Sequence, residues 1–218
     1  MRKSTFLYFI LFLLFLQTNI YAKEVYFIDN ATLELAEKNH GEKARQRMIS
    51  LVKLLNTIQN KTELEKLKYI NDFFNAITYS SDLKVWNKKD YWATREEFLS
   101  IDQGDCEDYV IAKYFSLRQL GLSNEKIFLT YVKAIKYRQS HMILTYYENK
   151  NSIPLILDNI VQTILPASKR KDLLPLFNFN GEKIYMAKQR GLGRVVPKGK
   201  INLKQWSNLI LKIKREKT

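Results

Sequence analysis

The sequence predicts an α+β fold in which a helical first half packs on an antiparallel sheet. Apolar residues recur at helical spacing between Met48 and Ile77 and again after Cys106. From Ile127 to Leu157 the pattern changes to short β-branched and aromatic runs separated by polar turns. Helices precede strands rather than alternating with them, which favours segregated layers over a parallel α/β sheet. The 218 residues are 46% apolar and 27% charged, enough for one sizeable core, and four prolines with seven glycines leave no long linker. Residues 23–218 are therefore expected to form a single domain.

The first element is an export signal over residues 1–22. Arg2 and Lys3 precede an unbroken apolar run from Phe6 to Leu16, which is too short to span a bilayer, and Ala22 offers a cleavage point. A buried N-terminal helix and an uncleaved tether are the alternatives. Met48, Leu51, Val52, Leu55 and Ile58 then mark one helix. A second starts at Thr62, with Glu65 three residues on as a capping box, and carries Leu64, Leu67, Ile70, Phe74 and Ile77 as its core stripe.

Residues 79–105 read as a structured loop with one short helix, for which Thr94 and Glu97 offer a second capping box. Trp86, Tyr91 and Trp92 in this loop either line a cleft or anchor it to the core. A helix beginning at Cys106 ends near Gly121. Strands follow over Ile127–Ile135, His141–Tyr147 and Ile153–Leu157. Asn180-Gly181 makes a tight turn, Trp206, Leu209 and Ile210 mark a closing helix, and the last six residues are expected to fray.

The net charge is +14, or +12 once Arg2 and Lys3 leave with the signal. Its basic residues are scattered, with no arginine-rich arm and no zinc-finger spacing, and export argues further against nucleic acid as a partner. A basic surface facing acidic polypeptide or anionic lipid accounts better for the charge.

Cys106 is the only cysteine, so no internal disulfide can form. It stands at a predicted helix start, where exposed N–H groups favour thiolate. His141 opens one predicted strand and Asp158 ends another, so a sheet could bring imidazole and carboxylate to the helix terminus as a Cys–His–Asp constellation. An inert buried thiol is the alternative. The acids around Cys106 oppose its ionisation: Asp105 and Glu107 flank it, with Asp102 and Asp108 nearby. A bound Ca2+ would resolve the conflict, with Asp105 and Glu107 as the leading ligands and Asp102 and Asp108 behind them. Otherwise the acids cap the helix, and Asp108 pairs with a lysine such as Lys113.

Several linked motifs carry a family resemblance. Gly104-Asp105-Cys106-Glu107-Asp108-Tyr109 and Lys113-Tyr114-Phe115-Ser116-Leu117 are preceded by Asp90-Tyr91-Trp92-Ala93-Thr94 and Glu97-Phe98. His141-Met142-Ile143-Leu144 and Leu157-Asp158-Asn159 follow. Over roughly residues 65–185 the chain resembles the bacterial transglutaminase-like cysteine peptidases. The resemblance implies a papain/transglutaminase-like cysteine protease fold, with Cys106 as nucleophile, His141 as general base and Asp158 as its orienting acid. It matches Asp105 and Glu107 to acids implicated in calcium binding. It further implies a periplasmic, calcium-dependent endopeptidase that cuts the N-terminal region of a large surface adhesin near paired alanines and promotes biofilm release. The periplasmic domain of an inner-membrane cyclic-di-GMP receptor would act as its inhibitor. The loop around Trp86 to Trp92, expected to be exposed, is a candidate contact, with Arg95 adding a polar contact beside it. Arg95 stands where many relatives have proline, and the basic tail after Gly193 matches no motif. The fold also admits a protein-glutamine acyltransferase, or a non-catalytic peptide-binding module.

Overall fold

The computed structural model describes residues 26–188, 190–197, 201 and 203–216. The export signal expected over residues 1–22 lies outside them. No helix among the described residues is long and apolar enough to cross a membrane.

Helix α1 (Asn30–His40) is capped by Asp29, whose carboxylate accepts from the Thr32 N–H at 2.8 Å. Gly41 takes φ +81° to end α1 and begin α2 (Glu42–Ile58), a left-handed conformation that glycine adopts without strain. Ala44, Met48, Leu51, Leu55 and Ile58 form the buried stripe of α2. In α3 (Glu63–Asn75), Thr62 and Glu65 close the expected capping box, and Leu67, Ile70 and Phe74 are buried. Leu64 departs from the expected stripe: it is 59% exposed.

Residues 79–105 hold two helices rather than one. A two-residue strand β1 (Thr78–Tyr79) pairs in parallel with β2 (Gln103–Gly104), and this short ladder brackets α4 (Asp82–Trp86) and α5 (Arg95–Ile101). The capping box of Thr94 and Glu97 starts α5 as expected. Next comes α6 (Cys106–Gln119), buried without interruption from Asp108 to Tyr114. A helix buried on nearly all sides belongs in the centre of a fold, and α6 packs between the preceding helices and the sheet even though its buried residues include Asp108 and Lys113.

The six-stranded sheet is antiparallel throughout, in the order β6-β5-β4-β3-β7-β8. Its strands are β3 (Ile127–Ala134), β4 (Gln139–Tyr146), β5 (Leu155–Leu157), β6 (Leu165–Pro166), β7 (Leu173–Phe179) and β8 (Ile184–Met186). Met142, Leu144 and Tyr146 join the main core with α6, whereas Val132, Ile143 and Ile156 form a second cluster with Ala167 and Leu173. Side-chain alternation along a strand explains the two sets. To pass from the β6 edge to β7, the chain steps across β5, β4 and β3 through a 3₁₀ turn at Ala167–Lys169.

Helix α7 (Lys204–Arg215) buries Trp206 and Leu209, and the Trp206 ring stacks on Phe115 at 5.8 Å. At Gly181 (φ +84°) a Cβ would lie 2.7 Å from that ring, so the Asn180-Gly181 turn and α7 fit only with glycine there. The fraying expected of the last six residues is not seen over residues 213–216: the helix runs to Arg215, and Glu216 accepts a hydrogen bond from the Thr94 hydroxyl at 2.9 Å. Lys212 Nζ donates to the Trp92 carbonyl at 2.8 Å and to Glu97 at 2.6 Å, and Gln205 donates to the Asp90 carbonyl at 3.2 Å. In this way α7 straps the loop of residues 90–97 onto the body of the protein.

Candidate active site

A cavity of about 630 Å³ opens where the N-terminus of α6 meets the start of β4. Its walls include Cys106, His141 and Asn159, the aromatic side chains of Tyr79, Trp92 and Tyr131, and the acids Asp90, Asp105 and Glu107.

Cys106 is the first residue of α6, with its N–H among those the helix leaves unpaired. Gly104 makes the sharp approach to it. A Cβ there would sit 2.5 Å from Asp108 Oδ2 and 2.7 Å from the Phe98 ring. The thiol donates to Glu107 Oε2 at 3.1 Å, and the Met142 N–H of β4 is directed at the sulfur. Burial, then Glu107 and Asp105, push the thiol well above its ordinary value. The opposition expected from the flanking acids is therefore present.

His141 and Asp158 come together from adjacent strands. His141 is the third residue of β4 and Asp158 directly follows β5; the imidazole Nε2 lies 2.8 Å from Asp158 Oδ1, and both side chains are almost fully buried. Burial alone would raise the Asp158 carboxyl, but His141, the Ile160 N–H and Arg170 outweigh it and hold it at about 2. An ionised carboxylate only accepts, so Nε2 carries the imidazole proton and Nδ1 is left as the acceptor. The Asp158 main-chain carbonyl is gripped by Asn75 Nδ2 at 2.9 Å. Asn75 in turn accepts, together with Asn71, from the buried ammonium of Lys113.

The acids divide into two groups. Asp105 and Glu107 crowd against Asp82 and Asp90, with ligand oxygens from these residues within 4.8 Å of one another in overlapping sets. Burial and mutual repulsion raise Asp82 to about 6 and Asp105 to about 8. Among the described residues Asp82 Oδ1 and Asp105 Oδ1 are buried without a hydrogen-bond partner. Crowded carboxylates with unpartnered oxygens suit a hard cation. Asp108 lies in the same cluster, but both of its oxygens are taken, by the N–H groups of Ala93 at 2.8 Å and Asp105 at 3.3 Å. It does not pair with Lys113.

Asp102 is not brought to the cluster. It ends α5 in a left-handed conformation and faces Arg47 at 3.5 Å. Arg95, considered above as a receptor contact, is bonded to Glu96 and Gln119, with its side chain 13% exposed. Asp82 and Asp90 were missed in the sequence because they are 24 and 16 residues from Cys106. Asp90 did carry a signal, as the first residue of the Asp90-Tyr91-Trp92 motif. Arg170 had none, sitting in a lysine-rich stretch that reads as solvated charge.

Residues 39–171 match a family described as the bacterial transglutaminase-like cysteine proteinases. The chain belongs to this family. Cys106, His141, Asp158 and the four clustered acids Asp82, Asp90, Asp105 and Glu107 all fall within the segment that this proteinase family shares. Among solved structures, calcium-bound LapG of Legionella pneumophila is 32% identical, with a TM-score of 0.71 over 85% of this chain and 99% of that one. The EGTA-treated form of the same protein is 33% identical, with a TM-score of 0.71 over 84% and 96%. No curated protein sequence matches the chain. The fold is thus the papain/transglutaminase-like one of LapG, with helices packed on an antiparallel sheet.

Proposed function

We propose that this proteinase is a periplasmic, calcium-dependent cysteine endopeptidase with Cys106, His141 and Asp158 as its catalytic residues. The observation that carries the reading is His141, bonded to the buried Asp158, lining the same cavity as the thiol at the helix N-terminus. Cys106 passes its proton to His141 Nδ1 and attacks the peptide carbonyl, forming the carbon–sulfur bond. The Cys106 N–H stabilises the oxygen that takes up charge. His141 returns the proton to the departing amine as the carbon–nitrogen bond breaks. Water, deprotonated by His141, then releases the acyl group and restores the thiol.

Asp82, Asp90, Asp105 and Glu107 are the residues that would hold Ca2+, and their unpartnered oxygens support this. When bound, the ion supplies positive charge against the acids that otherwise disfavour the thiolate. By likeness to LapG, the substrate is the N-terminal region of a large surface adhesin, cut near paired alanines to free cells from a biofilm. The periplasmic domain of an inner-membrane cyclic-di-GMP receptor is the inhibitor.

Incubating the purified protein and its Cys106→Ala and His141→Ala variants with an adhesin N-terminal fragment and calcium tests the reading. Two shorter products from the wild type and none from either folded variant are expected. Cross-linked product would instead identify an acyltransferase, and full cleavage by the Cys106→Ala protein would overturn the mechanism.

A further inference from the structure

We propose that Arg170 is a positioning residue of this site, holding the Asp158 carboxylate turned toward His141 so that the imidazole keeps one tautomer. The inference rests on the Cys106–His141–Asp158 reading and extends it to a residue outside the trio. Asp158 Oδ1 is occupied by His141 and by the Ile160 N–H at 3.0 Å. Its second oxygen, Oδ2, is taken by Arg170 Nη2 at 2.8 Å, and the guanidinium is only 3% exposed. With one oxygen fixed on Arg170, the carboxylate cannot rotate without losing a charge-assisted hydrogen bond in a dry environment.

The guanidinium is itself fixed from outside. Nε donates to Asp172 Oδ1 at 2.9 Å and Nη2 to Asp172 Oδ2 at 2.8 Å, and Asp172 is half exposed. Both residues sit on the crossover between β6 and β7, whose neighbours Ala167 and Leu173 pack on the Val132, Ile143 and Ile156 cluster. That crossover carries Arg170 to Asp158 at the end of β5. The charged and titratable groups facing Asp158 are His141 from β4, Arg170 and Asp172 from the crossover, and Lys113 from α6. Stability alone accounts poorly for this arrangement. Buried ion pairs contribute little net stability compared with apolar packing, and Arg170 Nη1 is buried without a partner among the described residues. A fork that fixes the direction of the carboxylate accounts for it better.

The test uses Arg170→Met, Arg170→Lys and Asp172→Asn, each checked for an unchanged circular dichroism spectrum. With a peptide spanning a paired-alanine site, Arg170→Met should lower kcat roughly tenfold to a hundredfold while KM changes less than about twofold. Arg170→Lys should recover part of the loss, because it keeps the charge but not the fork. In the Cys106→Ala background, ¹⁵N spectra of the His141 ring should show a single Nε2–H tautomer, becoming a mixture when Arg170→Met is added. Should Arg170→Met not fold, Arg170→Lys and Asp172→Asn carry the test, each expected to lower kcat at constant KM. Unchanged kcat in the folded variants, or a retained single tautomer in Arg170→Met, would overturn the proposal. The ring spectrum needs no turnover, so it separates this failure from failure of the trio itself, which would appear as cleavage by Cys106→Ala or His141→Ala.

Discussion

Asp158 is almost fully buried yet held ionised by His141, the Ile160 N–H and Arg170. Its folded value of about 2 lies below the ordinary 3.8, so the group adds stability that is fully present above about pH 4. That contribution is lost as the pH falls through about 2. Asp158→Asn should therefore be less stable than the wild type by about 2 kcal/mol near neutrality. The difference should shrink toward zero in urea titrations carried down to about pH 2. A constant difference across that range would mean that lost packing, not the carboxylate charge, sets the effect. At the same scale, Cys106 and His141 were legible as candidates because the chain has one cysteine and two histidines. Asp158, one of nine aspartates, was legible only by its place at a strand end and in the Leu157-Asp158-Asn159 motif. The roles of Asp102 and Asp108 were not legible, since spacing from a cysteine does not say which way a carboxylate turns. Asp102 turns to Arg47, and Asp108 to two backbone N–H groups.

At the scale of elements, the signals that could be read were local ones. Thr62 with Glu65, and Thr94 with Glu97, announce their helices because a capping box needs only residues three apart. Helix α1 was missed because Ala36 is its only buried residue, which leaves no apolar stripe to detect. Helix α4 was missed because five residues are too few to show a period. The β1–β2 ladder joins residues 25 apart in parallel and has no local signature. In α7 the apolar face was legible, but what it covers was not. Trp206→Ala should lower the unfolding free energy by about 3–5 kcal/mol, the usual cost of emptying a buried aromatic site. It should also release the strap on residues 90–97, seen as faster amide exchange of Tyr91 to Ala93 than in a control core variant of equal stability. Equal exchange in the two proteins would show that the loop holds itself.

For the molecule as a whole, the acid cluster is assembled from α4, the loop before α5 and the start of α6, so a cation bound there would tie three segments together. Calorimetry on the full Cys106→Ala chain should give heat with calcium and little with magnesium, whose tight octahedral shell suits crowded carboxylates less well. Asp90→Ala and Asp82→Ala should each weaken that binding at least about tenfold, the loss of roughly 1.4 kcal/mol. Full activity after exhaustive chelation, with no calcium heat, would leave the acids a structural role only. The strap has a consequence in time as well. Ribosomes build chains from the N-terminus, and Lys204 follows Asp158 by 46 residues. A nascent chain therefore contains Cys106, His141, Asp158 and all the clustered acids before Lys212 exists to grip Trp92. Proteolytic competence would then arrive as a late event in biogenesis, after the reactive groups themselves have been made.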